Sequence, residues 1–313
     1  MNLDLTAFEN CRLCPRNCGV NRVGGQTGFC GETADLRIAT IEPHFGEEPP
    51  FSGKNGSGTV FFSGCSLKCE FCQNHQISRD GIGQKFTVDE IVQRLTFLVQ
   101  EKKIHNINFV TPDHFFPYCV QIVKNIRQNS IEQPILFNLS GYQKTTVLNS
   151  LEGYADIYLP DFKYSDSRLA RELSNAENYP AVALDALVEM VKQKGFLDSF
   201  LHEEAPLATC GVLVRHLILP GFVKNSMDAL TSLFLEFGTE LPISLMSQYV
   251  PVKPNKIQSL NRQITSEEFE TVYEHLQTLG FRHLFVQFPE AKGEPLFLPD
   301  FKERHPFKGN FPR

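Results

Sequence analysis

Three cysteines stand in the short run Gly64-Cys65-Ser66-Leu67-Lys68-Cys69-Glu70-Phe71-Cys72. No other feature restricts the chain so strongly, because the C-x3-C-x2-C spacing puts three thiols into one loop. Seven of the nine cysteines fall within the first 72 residues, at 11, 14, 18, 30, 65, 69 and 72; Cys119 and Cys210 stand apart. The first residues carry no basic stretch followed by an apolar run, so no secretory signal is read. An odd cysteine count without such a signal makes a poor disulfide framework and points to metal in a reducing compartment. Nowhere do 18 apolar residues run together, so no transmembrane helix and a soluble, cytoplasmic protein are expected.

The pattern along the chain divides it into three. Residues 1–58 are rich in turn formers such as Gly24-Gly25 and Pro49-Pro50, and read as a loop-rich, metal-binding lead-in. From residue 59 to 288, strand and helix patterns alternate. Strands are expected at 59–62, 106–110, 135–139, 156–160, 212–219, 241–246 and 283–286. Helices are expected near 87–103, 117–129, 144–151, 166–195 (broken near Tyr179-Pro180), 225–237 and 266–279. Thr87 and Glu90 form a capping box for the first of these. Repeated strand–helix units imply a parallel sheet with helices outside it, in too few units for a closed eight-fold barrel. The α/β architecture expected is therefore a partial (β/α)6 barrel. The segment 196–211 is read as a loop over the barrel mouth, and 289–313 as a tail on the surface. With 27 Phe and no Trp, the core must be filled by Phe, Leu, Ile and Val.

Three thiolates in one loop can hold three irons of a 4Fe–4S cube and leave the fourth iron open for nitrogen and oxygen ligands. A zinc site built from Cys65, Cys69, Cys72 and a fourth ligand such as His75 is the alternative. The spacing, with aromatic Phe71 before the last cysteine, resembles the signature of radical S-adenosylmethionine (SAM) enzymes. More widely, the chain resembles the uncharacterised branch of iron–sulfur proteins related to pyruvate formate-lyase activating enzymes. The matching stretches include CRLCPRNCGVNR (11–22), PHFGEEPPFSGKNGSGTVFFSGC (43–65), CEFCQNHQIS (69–78), NLSGY (138–142), DIYLPDFKY (156–164) and VRHLILPG (214–221). That resemblance implies the radical SAM type of barrel and reductive cleavage of SAM to a 5′-deoxyadenosyl radical, which abstracts hydrogen from a substrate. It implies an electron donor such as flavodoxin or ferredoxin, and a protein substrate of the glycyl-radical kind.

The same resemblance assigns SAM contacts to Asp161 and Lys163, to Arg215, to Ser140 and to Phe71. Where activases carry a Gly-Gly-Glu type of stretch, this chain reads Val110-Thr111-Pro112-Asp113-His114. Thr111 and Asp113 would supply the oxygen acceptors there. Cys11, Cys14, Cys18 and Cys30 form a second group, C-x2-C-x3-C-x11-C, able to hold zinc or a second cluster. Cys119 and Cys210 read as core residues. A non-catalytic iron–sulfur or zinc protein for redox sensing or electron transfer is the alternative function. A net charge of −6 with no basic run argues against nucleic acid as partner.

Overall fold

The computed structural model describes residues 3–200, 207–289 and 298–307. Among the described residues ten strands form: β1 Arg37–His44, β2 Ser57–Phe62, β3 Gln84–Lys85, β4 Ile107–Val110, β5 Ile135–Leu139, β6 Ile157–Pro160, β7 Gly211–Val212, β8 Val214–Leu217, β9 Ile243–Met246 and β10 Leu284–Val286. From β2 onward, apart from the small β3, neighbours pair in parallel and in chain order. A parallel bridge between Asp161 and Arg215 joins β8 to the end of β6, so the two hydrogen-bonded sheets make one wall. β1 instead runs antiparallel along the outer edge of β2, from Ile38–Phe62 to His44–Ser57. The expected α/β parallel architecture is present, but the lead-in is not all loop. Its strand β1 mixes Arg, Thr, Glu and Pro with apolar residues, and partly exposed positions leave no clean alternation to read.

The sheet curves. Glu47 reaches Asn108 on β4 and Arg215 on β8, although β5 and β6 stand between them. Outward residues such as Val60, Phe62, Phe109, Phe137 and Tyr158 join the main core beneath the helices. Inward residues Leu136, Ile157, Leu159 and Leu213 form a separate interior cluster with Phe51, Leu197 and Ala208. Phe51 belongs to a short helix, Pro49–Ser52, seated at the N-terminal end of the strands, where its carbonyl accepts from Asn106 Nδ2 at 2.8 Å.

The helices follow the expected apolar stripes. Thr87 and Glu90 make both bonds of the capping box, and Ile91, Val92 and Leu95 are buried beneath. Each of those side chains stabilises by roughly 1.5–3 kcal/mol through burial. The helix stops being α at Phe97 and widens to a π turn over Leu98–Lys102. The long 166–195 helix is two, Ser167–Ser174 and Tyr179–Lys194, split by left-handed Asn175, with Pro180 in the first turn of the second. The remaining long helices are Phe116–Gln128, Val223–Phe237 and Ser266–Leu279, while the 144–151 expectation shrinks to Thr145–Leu148. No described helix is long and apolar enough to cross a membrane.

One placement corrects the sequence reading. The described part of 196–211 lies at the N-terminal end of the strands, not at the mouth. Gly211 N–H donates to Asp156 O just before β6, and Ala208 N–H donates to Pro50 O. Apolar Leu197 and Ala208 explain this, because they bury against the interior cluster. Residues 201–206 of that segment lie outside the described residues. The described part of the tail, 298–307, adds no strand or helix and packs on the barrel surface as expected, with 302–305 exposed and Phe301 as the buried anchor. Its ring sits 5.4 Å from Phe61, with Phe307 5.3 Å from the same ring, beside Val110 and Ile77. Phe61 and Val110 pair at the C-terminal ends of β2 and β4.

Candidate functional site

β2 ends at Phe62 and the chain turns at Gly64 into the cysteine loop. Gly64 has φ +80°, and a Cβ there would lie 2.5 Å from Glu32 Cγ and 2.9 Å from the Cys30 carbonyl oxygen. Glycine therefore lets the N-terminal segment close on the loop, where Cys65 N–H donates to Cys30 O at 3.4 Å. Cys65 and Cys69 are buried and Cys72 is half-buried. Each of the three sulfurs accepts a hydrogen bond: from Leu67 N–H to Cys65 at 3.3 Å, from Ser174 Oγ to Cys69 at 3.0 Å, and from Ser78 Oγ to Cys72 at 3.3 Å. Donors aimed at sulfur suit a sulfur that carries negative charge. Burial, then the neighbouring thiols, push Cys65 and Cys72 upward. A bound cation at the loop would reverse that balance.

Among the described residues, no three His, Cys, Asp or Glu side chains converge as a single metal ion requires. Thiolates of a four-iron cube bind different irons and need no such convergence. Phe71 is buried between Tyr164 at 6.3 Å and Tyr249 at 6.4 Å, and acts as packing behind the loop.

The ends of β4, β5 and β6 gather most of the other candidates. Thr111 holds φ +56°, which is strained for a β-branched residue, and its N–H donates to Asn138 O at 3.0 Å. Asp113 is buried and accepts from Gln143 Nε2, which also donates to Ser140 Oγ at 3.2 Å. Asp113 Oδ2 and Gln143 Oε1 are buried without partners. Burial pushes the Asp113 carboxyl up to about 6, although the Gln143 bond opposes it. Asp161 and Lys163 form an ion pair with 22% and 19% of their side chains exposed. Burial alone would lower Lys163, but Asp161 outweighs it and the ammonium is held charged. Both charges are close enough to act on Asp113. The Tyr179 hydroxyl accepts from Lys163 N–H at 3.0 Å and stands 2.9 Å from the carbonyls of Ser140 and Asp161, tying two strand ends together.

Arg215 stands apart from that group. It faces the interior, where its Nε donates to Glu48 Oε1 at 2.8 Å and its Nη2 to Glu48 Oε2 at 2.5 Å and to Glu47. The three side chains are 12%, 8% and 6% exposed for Arg215, Glu48 and Glu47. Burial would raise Glu48, yet Arg215 outweighs it and holds the carboxyl low. The guanidinium assigned to SAM thus already serves two carboxylates. Glu47 and Glu48 escaped the sequence reading; adjacent acids before Pro49-Pro50, and a lone arginine on an apolar strand, were the available signal.

The second cysteine group assembles beside the first loop. Cys11 and Cys30 are buried, Cys14 is half-buried and Cys18 is exposed. Burial pushes the Cys14 thiol up to about 12, with Cys30 and Cys11 adding. A Cβ on Gly28 would lie 3.5 Å from Cys18 Sγ and 3.6 Å from Cys30 Sγ, so the two sulfurs flank that glycine. Cys119 is a core residue as expected, whereas Cys210 is only half-buried, with its thiol 3.7 Å from Lys194 O.

Residues 52–177 match the family model described as a 4Fe-4S single cluster domain. An uncharacterised protein of Methanocaldococcus jannaschii is 28% identical over 277 residues, covering 85% of this chain and 74% of that protein. Among solved structures, the FeFe-hydrogenase maturase HydG from Carboxydothermus hydrogenoformans is 15% identical with a TM-score of 0.49, over 72% of this chain and 52% of that one. Methylornithine synthase PylB is 13% identical with a TM-score of 0.47, over 77% and 75%. Streptococcus suis SuiB, solved with S-adenosylmethionine, is 10% identical with a TM-score of 0.48, over 72% and 48%. The stretch from 52 to 177, which contains Cys65, Cys69 and Cys72, is thus similar to the 4Fe–4S single cluster domains.

Proposed function

We propose that the chain is a radical SAM enzyme with a 4Fe–4S cluster held by Cys65, Cys69 and Cys72. The observation that carries this reading is the loop itself: three gathered thiols at the C-terminal end of a parallel strand, each with its own hydrogen-bond donor. The C-terminal face of such a sheet is where barrel enzymes place their chemistry. A cluster held there by Cys65, Cys69 and Cys72 would pass on one electron, received from an external one-electron donor, for the reductive cleavage of SAM to methionine and a 5′-deoxyadenosyl radical, which would take a hydrogen atom from the substrate.

The chain's own groups would bind and orient the nucleotide. Asp113 Oδ2 and Gln143 Oε1 are unpartnered acceptors for the ammonium group. Asp161 suits the ribose hydroxyls, and Lys163 a carboxylate. Phe301 and Phe307 would keep water from the side of the mouth next to Phe61. A protein substrate, converted to a carbon-centred radical, completes the proposal.

Anaerobically reconstituted protein given SAM and dithionite should form 5′-deoxyadenosine, and Cys69→Ala should form none. Cluster-loaded protein that forms no 5′-deoxyadenosine would overturn the enzyme reading in favour of electron transfer or redox sensing.

A further inference from the structure

Arg22 lies on the N-terminal segment and is 1% exposed. Its guanidinium donates to Thr33 O at 3.1 and 2.7 Å, to His114 O at 2.5 Å and toward Cys11 Sγ at 3.7 Å. It stacks between Phe8 at 4.4 Å and Phe115 at 5.1 Å. No carboxylate lies within ion-pair distance of it among the described residues; the nearby Glu32 pairs with Arg37 at 3.2 Å. A buried charge that lacks a counter-charge is costly, and carbonyl dipoles and ring faces offset only part of that cost. The Nη1 that donates to His114 O also points at Cys11 Sγ, and the guanidinium acts on Glu32 only from beyond ion-pair distance.

The cysteine group around it has the features of a cradle. Phe29 N–H donates to Cys18 Sγ at 3.3 Å, so a second sulfur of the group also receives an N–H. Gly28 leaves open the space between Cys18 and Cys30 that any side chain would fill. Four thiolates can each grip one iron of a cluster, and the assembly is anionic, which suits the buried Arg22 beside Cys11.

We propose that Cys11, Cys14, Cys18 and Cys30 hold a second iron–sulfur cluster whose negative charge is balanced by the buried Arg22. The site does not depend on the proposed SAM chemistry. It adjoins the first cysteine loop through the Cys65 to Cys30 backbone bond.

The test is an iron, sulfide and zinc count on the anaerobically reconstituted full chain and on two variants. Wild type should bind about eight iron and eight sulfide, and Cys65→Ala/Cys69→Ala/Cys72→Ala should keep about four of each with visible cluster absorbance. Cys14→Ser/Cys18→Ser should keep the other set. About four iron in wild type and none in the triple variant would overturn the second cluster while leaving the enzyme reading intact. One zinc retained by the triple variant would overturn it as well. Iron retained by the triple variant but lost from Cys14→Ser/Cys18→Ser supports the second cluster even if wild type holds only that one.

Discussion

Replacing Arg215 by Met tests whether the barrel interior is arranged around charge or around shape. Methionine fills a similar volume, but it leaves Glu47 and Glu48 facing each other with 6% and 8% of their side chains exposed. Removing one partner of a buried ion pair costs about 3–5 kcal/mol, because the other charge is stranded. Glu47→Gln is the control. It keeps Glu48 bonded to Arg215 Nε and Nη2 at 2.8 and 2.5 Å, removes one charge-assisted bond, and should cost about 1–2 kcal/mol. At roughly 2 °C per kcal/mol for a chain of this size, the melting temperature should fall by about 6–10 °C for Arg215→Met and about 2–4 °C for Glu47→Gln.

The pH dependence carries the sharper sign. In wild type, Arg215 holds Glu48 below its unfolded value, so this stabilisation is complete above the unfolded pKa and is lost as pH falls through the folded one. Without Arg215, burial raises the Glu48 carboxyl, and the penalty grows as pH rises above its unfolded value. The gap between wild type and Arg215→Met should therefore narrow when anaerobic thermal scans move from about pH 8 to about pH 5. A gap that is flat with pH, or an Arg215→Met loss no larger than that of Glu47→Gln, would refute the account.

Gly64→Ala should fold less stably by at least about 1 kcal/mol and bind less iron, since its Cβ would meet Glu32 and the Cys30 carbonyl; iron counting beside thermal scans checks this. SAM affinity should weaken as pH falls through about 6, where Asp113 gains a proton. Asp113→Asn should bind weakly with no such pH dependence in equilibrium titrations, and an unchanged profile would remove Asp113 from the site. Phe301→Ala should release the segment 298–307 from Phe61 and Val110, seen as faster hydrogen exchange and proteolysis there with only a small drop in melting temperature.

The sequence told most where one element carried the whole signal. The capping box at Thr87 and Glu90 is local, and so is the cysteine loop; both stand where they were expected. The run Val212–Leu219 reads as a strand because its residues are buried on both faces, although the chain breaks it into β7 and β8 at Leu213. What stayed hidden was set by partners distant in the chain. Glu47 and Glu48 look like exposed loop acids until Arg215, 168 and 167 positions away, comes to face them. Phe301 looks like a surface tail residue until Phe61 and Val110 supply its pocket. Leu197 and Ala208 look like a rim loop because nothing local tells one end of a barrel from the other. Gln143 gained its importance only through the Asp113 it holds.

The hydrogen bond from Ser174 to Cys69 has a bearing on biosynthesis. A nascent chain emerging from the ribosome displays seven thiols by residue 72, about a hundred residues before Ser174 exists to shield one of them. The backbone carbonyl of Gln248, which fastens Gln73 at 2.7 Å, arrives later still. Iron delivered during translation would meet naked, oxidisable sulfur; iron delivered after release would meet a finished socket.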